Sequence, residues 1–200
     1  MSIDNIIKER RTVRNLKKDP IAMDKLASLL ETASYAPFHS KDEPWRVITI
    51  TSTEEKMHML SAVLSSFERL GTLDGFIKEK YEQLVESYKA YFLDTPIHLI
   101  ITSVLDGDAK KQFESKAATC AFIQNLQLAA WTEGIGVSWR TNSYNFDKEF
   151  QKEMCVPYNQ TIVGVLHLGY PKVIPRVKVR AQPEVWTQSL SKLKNNKISS

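Results

Sequence analysis

The sequence is short of cysteine, of long apolar runs and of charge of one sign, and each shortage removes a class of function. Only two cysteines, Cys120 and Cys155, stand among 200 residues. Neither falls in a CxxC pair or at a metal-ligand spacing from histidine, so they read as reduced thiols. The four histidines (His39, His58, His98, His167) are scattered, and no metal motif is visible. No apolar run approaches the ~20 residues needed to cross a membrane. The opening "MSIDNIIKER" lacks the basic, then apolar, then small-residue order of a signal peptide, so a cytoplasmic setting is expected. Net charge is only +4, with acids interleaved among the bases along most of the chain. Nucleic-acid binders usually show a more one-sided balance, which disfavours that partner.

What is present is an ordinary globular composition, 42% apolar and 25% charged, ample for one core. No repeat or low-complexity linker divides it, so the expectation is one domain over 1–185 and a tail over 186–200. Ile3, Ile6 and Ile7 predict a short helix ending near Arg10. Asp19-Pro20 reads as an N-cap followed by proline at the first helical position, opening a second helix through Met23, Leu26, Leu29, Leu30 and Ala33 that Pro37 ends. "WRVITIT" (45–51) predicts a strand. Ser52 and Glu55 have capping-box spacing before an amphipathic helix through Met57, Leu60, Leu64 and Phe67. Residues 76–92 predict another helix, and "IHLIITSV" (97–104) a buried strand. Residues 113–133 are apolar or small on nearly every side from Lys116 onward, which predicts a helix through the middle of a core. "GVSWR" and "TIVGVLHLGY" (161–170) predict two more strands, with a small helix around 146–154 between them. Helices outnumber strands without a βαβ rhythm, so the fold class is α+β with one mixed sheet. After Pro171 periodicity is lost, as expected of a segment that wraps something. "KLKNNK" (192–197) reads as a frayed, solvated end.

Three stretches can carry chemistry. "IKERRTVRNL" (7–16) places Arg10, Arg11 and Arg14 within five positions, with the hydroxyl of Thr12 between them. Clustered guanidinium groups repel, so they sit on a solvated helix end or against an anion. That anion is a phosphodiester, a membrane surface or one phosphorylated small molecule. "PRVKVR" (175–180) alternates Arg176, Lys178 and Arg180 and can reach the same anion, or form a solvated edge. The second stretch, "ASYAPFHSKDEPWRV" (33–47), sets two prolines, His39 and Trp45 in a helix-to-strand loop. The third, "QNLQLAAWTEGIGVSWRT" (124–141), holds Gln124 and Asn125 in an apolar helix, a tight turn at "EGIG", and Trp139-Arg140-Thr141 at a strand end. "EGIG" does not continue as GxGxxG, and no preceding strand makes it a phosphate-binding loop. No catalytic triad is apparent.

Together these stretches resemble the nitroreductase family of flavin-dependent oxidoreductases. Its members open with a helix ending in RRS-x-R, here "RRTVR". They continue with an "AP" loop leading to "PW" and a strand, here "APFHSKDEPWRV". Later comes "QNL-x-x-AA-x-x-x-G-x-G", here "QNLQLAAWTEGIG", and a strand ending "GYP", here Gly169-Tyr170-Pro171. The order runs from about residue 3 to 185, and the short length and "WR" are similar to the small branch of the family.

The resemblance implies a nitroreductase-like α+β sandwich: a mixed, mostly antiparallel sheet covered by helices, with a C-terminal segment wrapping a homodimer partner and FMN at the interface. Arg10, Arg11, Thr12 and Arg14 match the segment holding the FMN phosphate and pyrimidine edge. Arg14 is the candidate for the N1/O2 position. Tyr35 and His39 match loop positions that reach the flavin held by the partner subunit. Trp139, Arg140 and Thr141 match a second flavin-contacting segment, and Lys178 and Arg180 a late phosphate-binding pair. Ala129, Ala130, Trp131, Thr132, Glu133 and Gly134 match a stretch associated with the nicotinamide dinucleotide. NAD(P)H would then be the electron donor to FMN, and an electron-poor small molecule (a nitroaromatic, quinone, enoate or halogenated compound) the acceptor, in ping-pong order. No protein nucleophile or metal is needed for such chemistry. The chain departs from the family pattern at Tyr35, Phe38, Lys41 and Glu43. From the residues alone, a flavin binder without turnover or an anion-binding module stays open beside the enzyme.

Overall fold

A computed structural model describes residues 2–39, 41–191 and 193. Four strands, β1 (Trp45–Ile50), β2 (Ile97–Val104), β3 (Gly136–Arg140) and β4 (Gln160–Gly169), make one sheet in the order β1-β2-β4-β3. All three strand pairs are antiparallel, and the sheet is mixed only through a parallel bridge between Thr12 and Val137 at its β3 edge. Helices α1 (Ile3–Glu9), α2 (Met23–Ala33), α3 (Thr53–Arg69), α4 (Lys78–Asp94), α5 (Ala109–Thr132), α6 (Lys148–Glu153) and α7 (Pro183–Trp186) surround it, with a 3-10 turn at Ser143–Phe146. None of these helices is long and apolar enough to cross a membrane.

The period-2 alternation of the strands divides the core in two. Leu99 and Ile101 of β2 and Leu166 and Leu168 of β4 face α2 and α5, against Leu26, Phe122 and Leu126. Ile100 and Val165 face the other way, toward Met59 and Val63 of α3, Phe92 of α4 and Phe150 of α6. The capping box is formed as expected: Ser52 Oγ accepts from the Glu55 amide, and the Glu55 carboxylate accepts from the Ser52 amide.

Two helical expectations are corrected. The second helix begins at Met23 after Ala22, with no side-chain cap, rather than at Asp19-Pro20. Tertiary contacts override the local signal: the Lys17 amide donates to the Tyr170 carbonyl, and Ile21 is buried, which holds the chain extended until Ala22. The 113–133 helix starts earlier, at Ala109, where Asp108 caps it by accepting from the Lys111 amide. It also does not run through the middle of the core. One side, with Ala118, Phe122, Ile123, Leu126 and Ala130, is buried, while Asn125, Leu128 and Ala129 face an open cavity.

Past β4 the chain turns at Pro171, which bridges to Leu16, and runs on as an exposed arm. Val173, Ile174, Val177, Val179, Val185 and Trp186 project from it, all at least 60% exposed. The 192–197 stretch lies mostly outside the described residues, as does all of the tail beyond Leu193.

Candidate functional site

The first arginine stretch is not left as a loose helix end. After α1 the chain pairs with the β3 edge, where the Val13 amide donates to the Val137 carbonyl and the Lys172 amide donates to the Asn15 carbonyl. Gly136 makes this approach feasible: a Cβ there would stand 2.7 Å from Val13 Cβ. Period-2 geometry then buries Val13 and leaves Thr12 and Arg14 on the open side, and a bend at Asn15 breaks the alternation so that Leu16 is buried too.

Beside this segment lies a groove of about 720 Å³. Arg10, Arg11, Thr12 and Arg14 form one wall, Ser138, Trp139 and Arg140 of β3 the floor, and the arm from Val173 to Arg180 the other wall. The groove is lined by six arginines and one lysine and, among the described residues, by no carboxylate. Lys178 and Arg180 are brought here from a distance of over 160 residues, together with Arg176.

Electrostatics and hydrogen bonding both suit the groove to an anion. Arg10 is half-buried, and its guanidinium is held below the usual arginine range, first by burial and then by Arg11 and Arg180 nearby. Concentrating like charge this way is unfavourable without a counter-charge. Among the described residues, the buried Nε atoms of Arg10 and Arg11 have no hydrogen-bond partner. Buried donors left unmade cost roughly 1–3 kcal/mol each, more for charged groups. A phosphate or another multivalent anion with several acceptor oxygens meets all of these demands at once. The volume lies within the ~300–1,000 Å³ of ordinary cofactor pockets.

Other expected site residues stand apart from the groove. Tyr35, 83% exposed, and the exposed His39 lie at the end of α2 and in the loop before β1, outside its walls. Thr141 is exposed just past β3 and lines no part of it. In the 129–134 stretch, Ala129, Thr132 and Glu133 line a separate cavity of about 720 Å³ between α1, α2 and α5. There Glu133 pairs with Lys25 at 2.9 Å. Trp131 is half-buried, and Gly134 forms the turn out of α5 at φ +71°. Ala130 is wholly buried against the sheet and has no surface to offer a ligand.

Asn15 and Ser138 were missed as groove residues. For Ser138 a signal existed, since it sits two positions from Arg140 on a predicted strand and so shares its face. Trp139, whose side chain alternates away from those of Ser138 and Arg140, borders the groove as well and donates from Nε1 to the Val163 carbonyl at 3.4 Å. Val163 is the extra residue at the bulge where the β2–β4 register slips, which leaves its carbonyl available.

Comparison with known proteins agrees with this architecture. The nitroreductase family model matches residues 7–170. YfhC of Bacillus subtilis (strain 168), a protein named for NAD(P)H nitroreductase activity, is 31% identical over 176 residues, covering 88% of each chain. The crystal structure of a nitroreductase-like family protein from Bacillus cereus superposes with a TM-score of 0.83 at 33% identity, over 95% of this chain and 96% of that one. The FMN-dependent nitroreductase NfnB of Mycobacterium smegmatis, solved with NADPH, shares the fold at a TM-score of 0.67 and 17% identity, over 93% and 96% of the two chains. A family match that spans the arginine segment, the sheet and the closing strand makes this chain a member of the nitroreductase family.

Proposed function

We propose that this protein is an FMN-dependent oxidoreductase that uses NAD(P)H to reduce nitroaromatic, quinone or similar electron-poor small molecules. The observation that carries the reading is the groove itself: a lining whose charged side chains, among the described residues, are all cations, with two buried guanidinium Nε atoms that have no partner there, in a chain of this family. Bound FMN would supply the hydride chemistry, which no side-chain constellation here provides.

The chain's own residues would do the holding and the tuning. Arg10, Arg11, Lys178 and Arg180 would take the phosphate by charge-assisted hydrogen bonds, with the Thr12 hydroxyl beside them. Arg14, on the open side of the segment, would stabilise negative charge on the pyrimidine edge of the reduced ring. Trp139 and Arg140 would complete the floor, and Thr141 would contact the flavin from just past β3. The 129–134 stretch, apart from the buried Ala130, is the candidate surface for the nicotinamide dinucleotide.

The working unit would be a homodimer. The outward side of α5 and the apolar arm residues favour a protein partner over water. Tyr35 and His39, absent from their own chain's groove, are free to reach the partner's.

Anaerobic addition of NADPH to the purified, FMN-loaded protein tests this reading. Loss of the oxidised flavin band, restored by an electron acceptor, is the expected result, with parallel lines in double-reciprocal plots. A flavin spectrum that NADPH leaves untouched would mark a passive binder, and absence of flavin affinity would refute the reading.

A further inference from the structure

A second cavity, of about 230 Å³, opens on the α4 side of the sheet and shares only Arg140 with the groove. Its walls are aromatic: Tyr88, Tyr91 and Phe92 from α4 and Tyr144 from the 3-10 turn. An engineered apolar cavity of roughly 150 Å³ holds a benzene molecule, so this space suits one substituted ring. Four aromatic walls favour a ring of that kind by stacked and edge-on contacts.

The polar groups at its back follow from strand register. His98 on β2, His167 on β4 and Ser138 on β3 are direct cross-strand neighbours and form a row on this face. His98 Nδ1 and His167 Nδ1 lie 2.6 Å apart, and His98 Nε2 lies 2.8 Å from the Phe92 carbonyl. A carbonyl only accepts, so His98 Nε2 carries a proton. Neutral His98 then accepts at Nδ1, and His167 must donate from its own Nδ1. That leaves Nε2 of His167, a residue of 1% exposure in the cavity wall, as a lone-pair acceptor with no partner in the described chain. Arg140, also in the wall, forms no ion pair among the described residues, and it stands close to the buried Tyr91 hydroxyl. Asn142 Nδ2 donates to the Tyr144 hydroxyl oxygen at 2.9 Å.

We infer that this cavity is a binding site for a one-ring aromatic acid bearing its own hydrogen-bond donor, with the carboxylate on Arg140 and the donor on His167 Nε2. The Tyr91 hydroxyl gives the anion a second donor, and the ring fills the space between Tyr88, Tyr91 and Tyr144. A cation, an acceptor and an aromatic box together exclude aliphatic amines and purely apolar ligands. The inference does not depend on the flavin reading.

The probe is 4-hydroxybenzoate, titrated calorimetrically into the full-length protein with and without saturating FMN. One site per chain is expected, retained when FMN is present. Benzoate, which lacks the donor, and phenol, which lacks the anion, should each bind about tenfold more weakly. Ser87 is an exposed α4 residue at the cavity mouth, so Ser87→Trp should plug it and abolish binding while the fold stays intact. Tyr91→Phe should weaken binding severalfold. Nuclear Overhauser contacts between the probe's ring protons and the His167 imidazole in the unaltered protein give a readout independent of any variant. Absence of binding at millimolar probe overturns the inference. So does displacement by FMN together with absence of the His167 contacts, which would place the probe in the groove, or binding indifferent to Ser87→Trp.

Discussion

At the scale of single residues, the groove's cations differ in what surrounds them. Arg14 lies on the open side of the edge segment within the groove, whereas Lys41 is exposed in the loop before β1 and lines no part of it. Arg14→Ala is therefore expected to lower FMN retention and slow NADPH-driven bleaching, while Lys41→Ala leaves both near the parent value. Loss of one charged hydrogen bond costs about 1.5–3 kcal/mol, a tenfold or larger change in affinity. Flavin content after gel filtration and the bleaching rate measure both. Gly164 offers a sharper steric test, because a Cβ there would fall on Nε1 and Cδ1 of the Trp139 indole. Gly164→Ala should push the indole off the sheet, destabilise the protein by roughly 1–3 kcal/mol and shift its tryptophan emission. Adding Trp139→Phe should recover much of the loss in urea unfolding; a fully stable single variant would show that the ring has room to move. Nothing in the local sequence marks Gly164 as different from other glycines, since the clash comes from a neighbouring strand.

At the scale of elements, the histidines paired across β2 and β4 tie stability to pH. Burial holds His98 down to about 4, helped by the charge of Lys56 nearby. His167 is held well below its ordinary value by burial, by His98 and by Arg140. Both are then neutral in the folded state but take up protons on unfolding below pH ~6.5. The unfolded chain binds more protons in that window, so stability falls as pH drops from ~6.5 toward ~4. His98 alone contributes up to about 3 kcal/mol of that loss. Urea unfolding across this range should show a shallower pH slope for the His98→Gln, His167→Gln pair than for the parent. Equal slopes would mean the imidazoles are not titrating differently in the two states. The elements themselves were largely legible: the capping box at Ser52, the 97–104 strand and the stop at Gly134 all lie where local spacing placed them. The α2 start was not, because Asp19-Pro20 satisfies the local rule while edge pairing and the buried Ile21 hold the chain extended past it.

For the whole molecule, the decisive expectation is linkage between cofactor and assembly. If Tyr35 and His39 of one subunit complete a groove whose Arg10, Arg11, Thr12 and Arg14 belong to the other, FMN must tighten the dimer. At ~100 times its dissociation constant, FMN should add about 2.7 kcal/mol per site to apparent stability. Sedimentation and thermal melting of FMN-free and FMN-loaded protein over a dilution series measure this coupling. Mixing an Arg10→Ala, Arg11→Ala chain with a His39→Ala chain refines the test, since a shared site leaves the heterodimer one intact flavin site. A folded monomer that binds FMN with full affinity would defeat the shared arrangement.

Composition and spacing by themselves determined the α+β class, most helix and strand positions, and the presence of an arginine cluster, but not whether that cluster meets solvent or an anion. These rest on local physics: hydrophobic period, capping chemistry and like-charge repulsion act between residues a few positions apart. Only the tertiary structure decided that Arg176, Lys178 and Arg180 face Arg10 and Arg11, because the arm's approach depends on pairing at Leu16 and Pro171. It also decided which side of α5 is buried, and that Ala130 cannot meet a ligand while Ala129 faces open space. A helix apolar all round carries no directional signal in its own sequence. The sheet alone chooses its inner face.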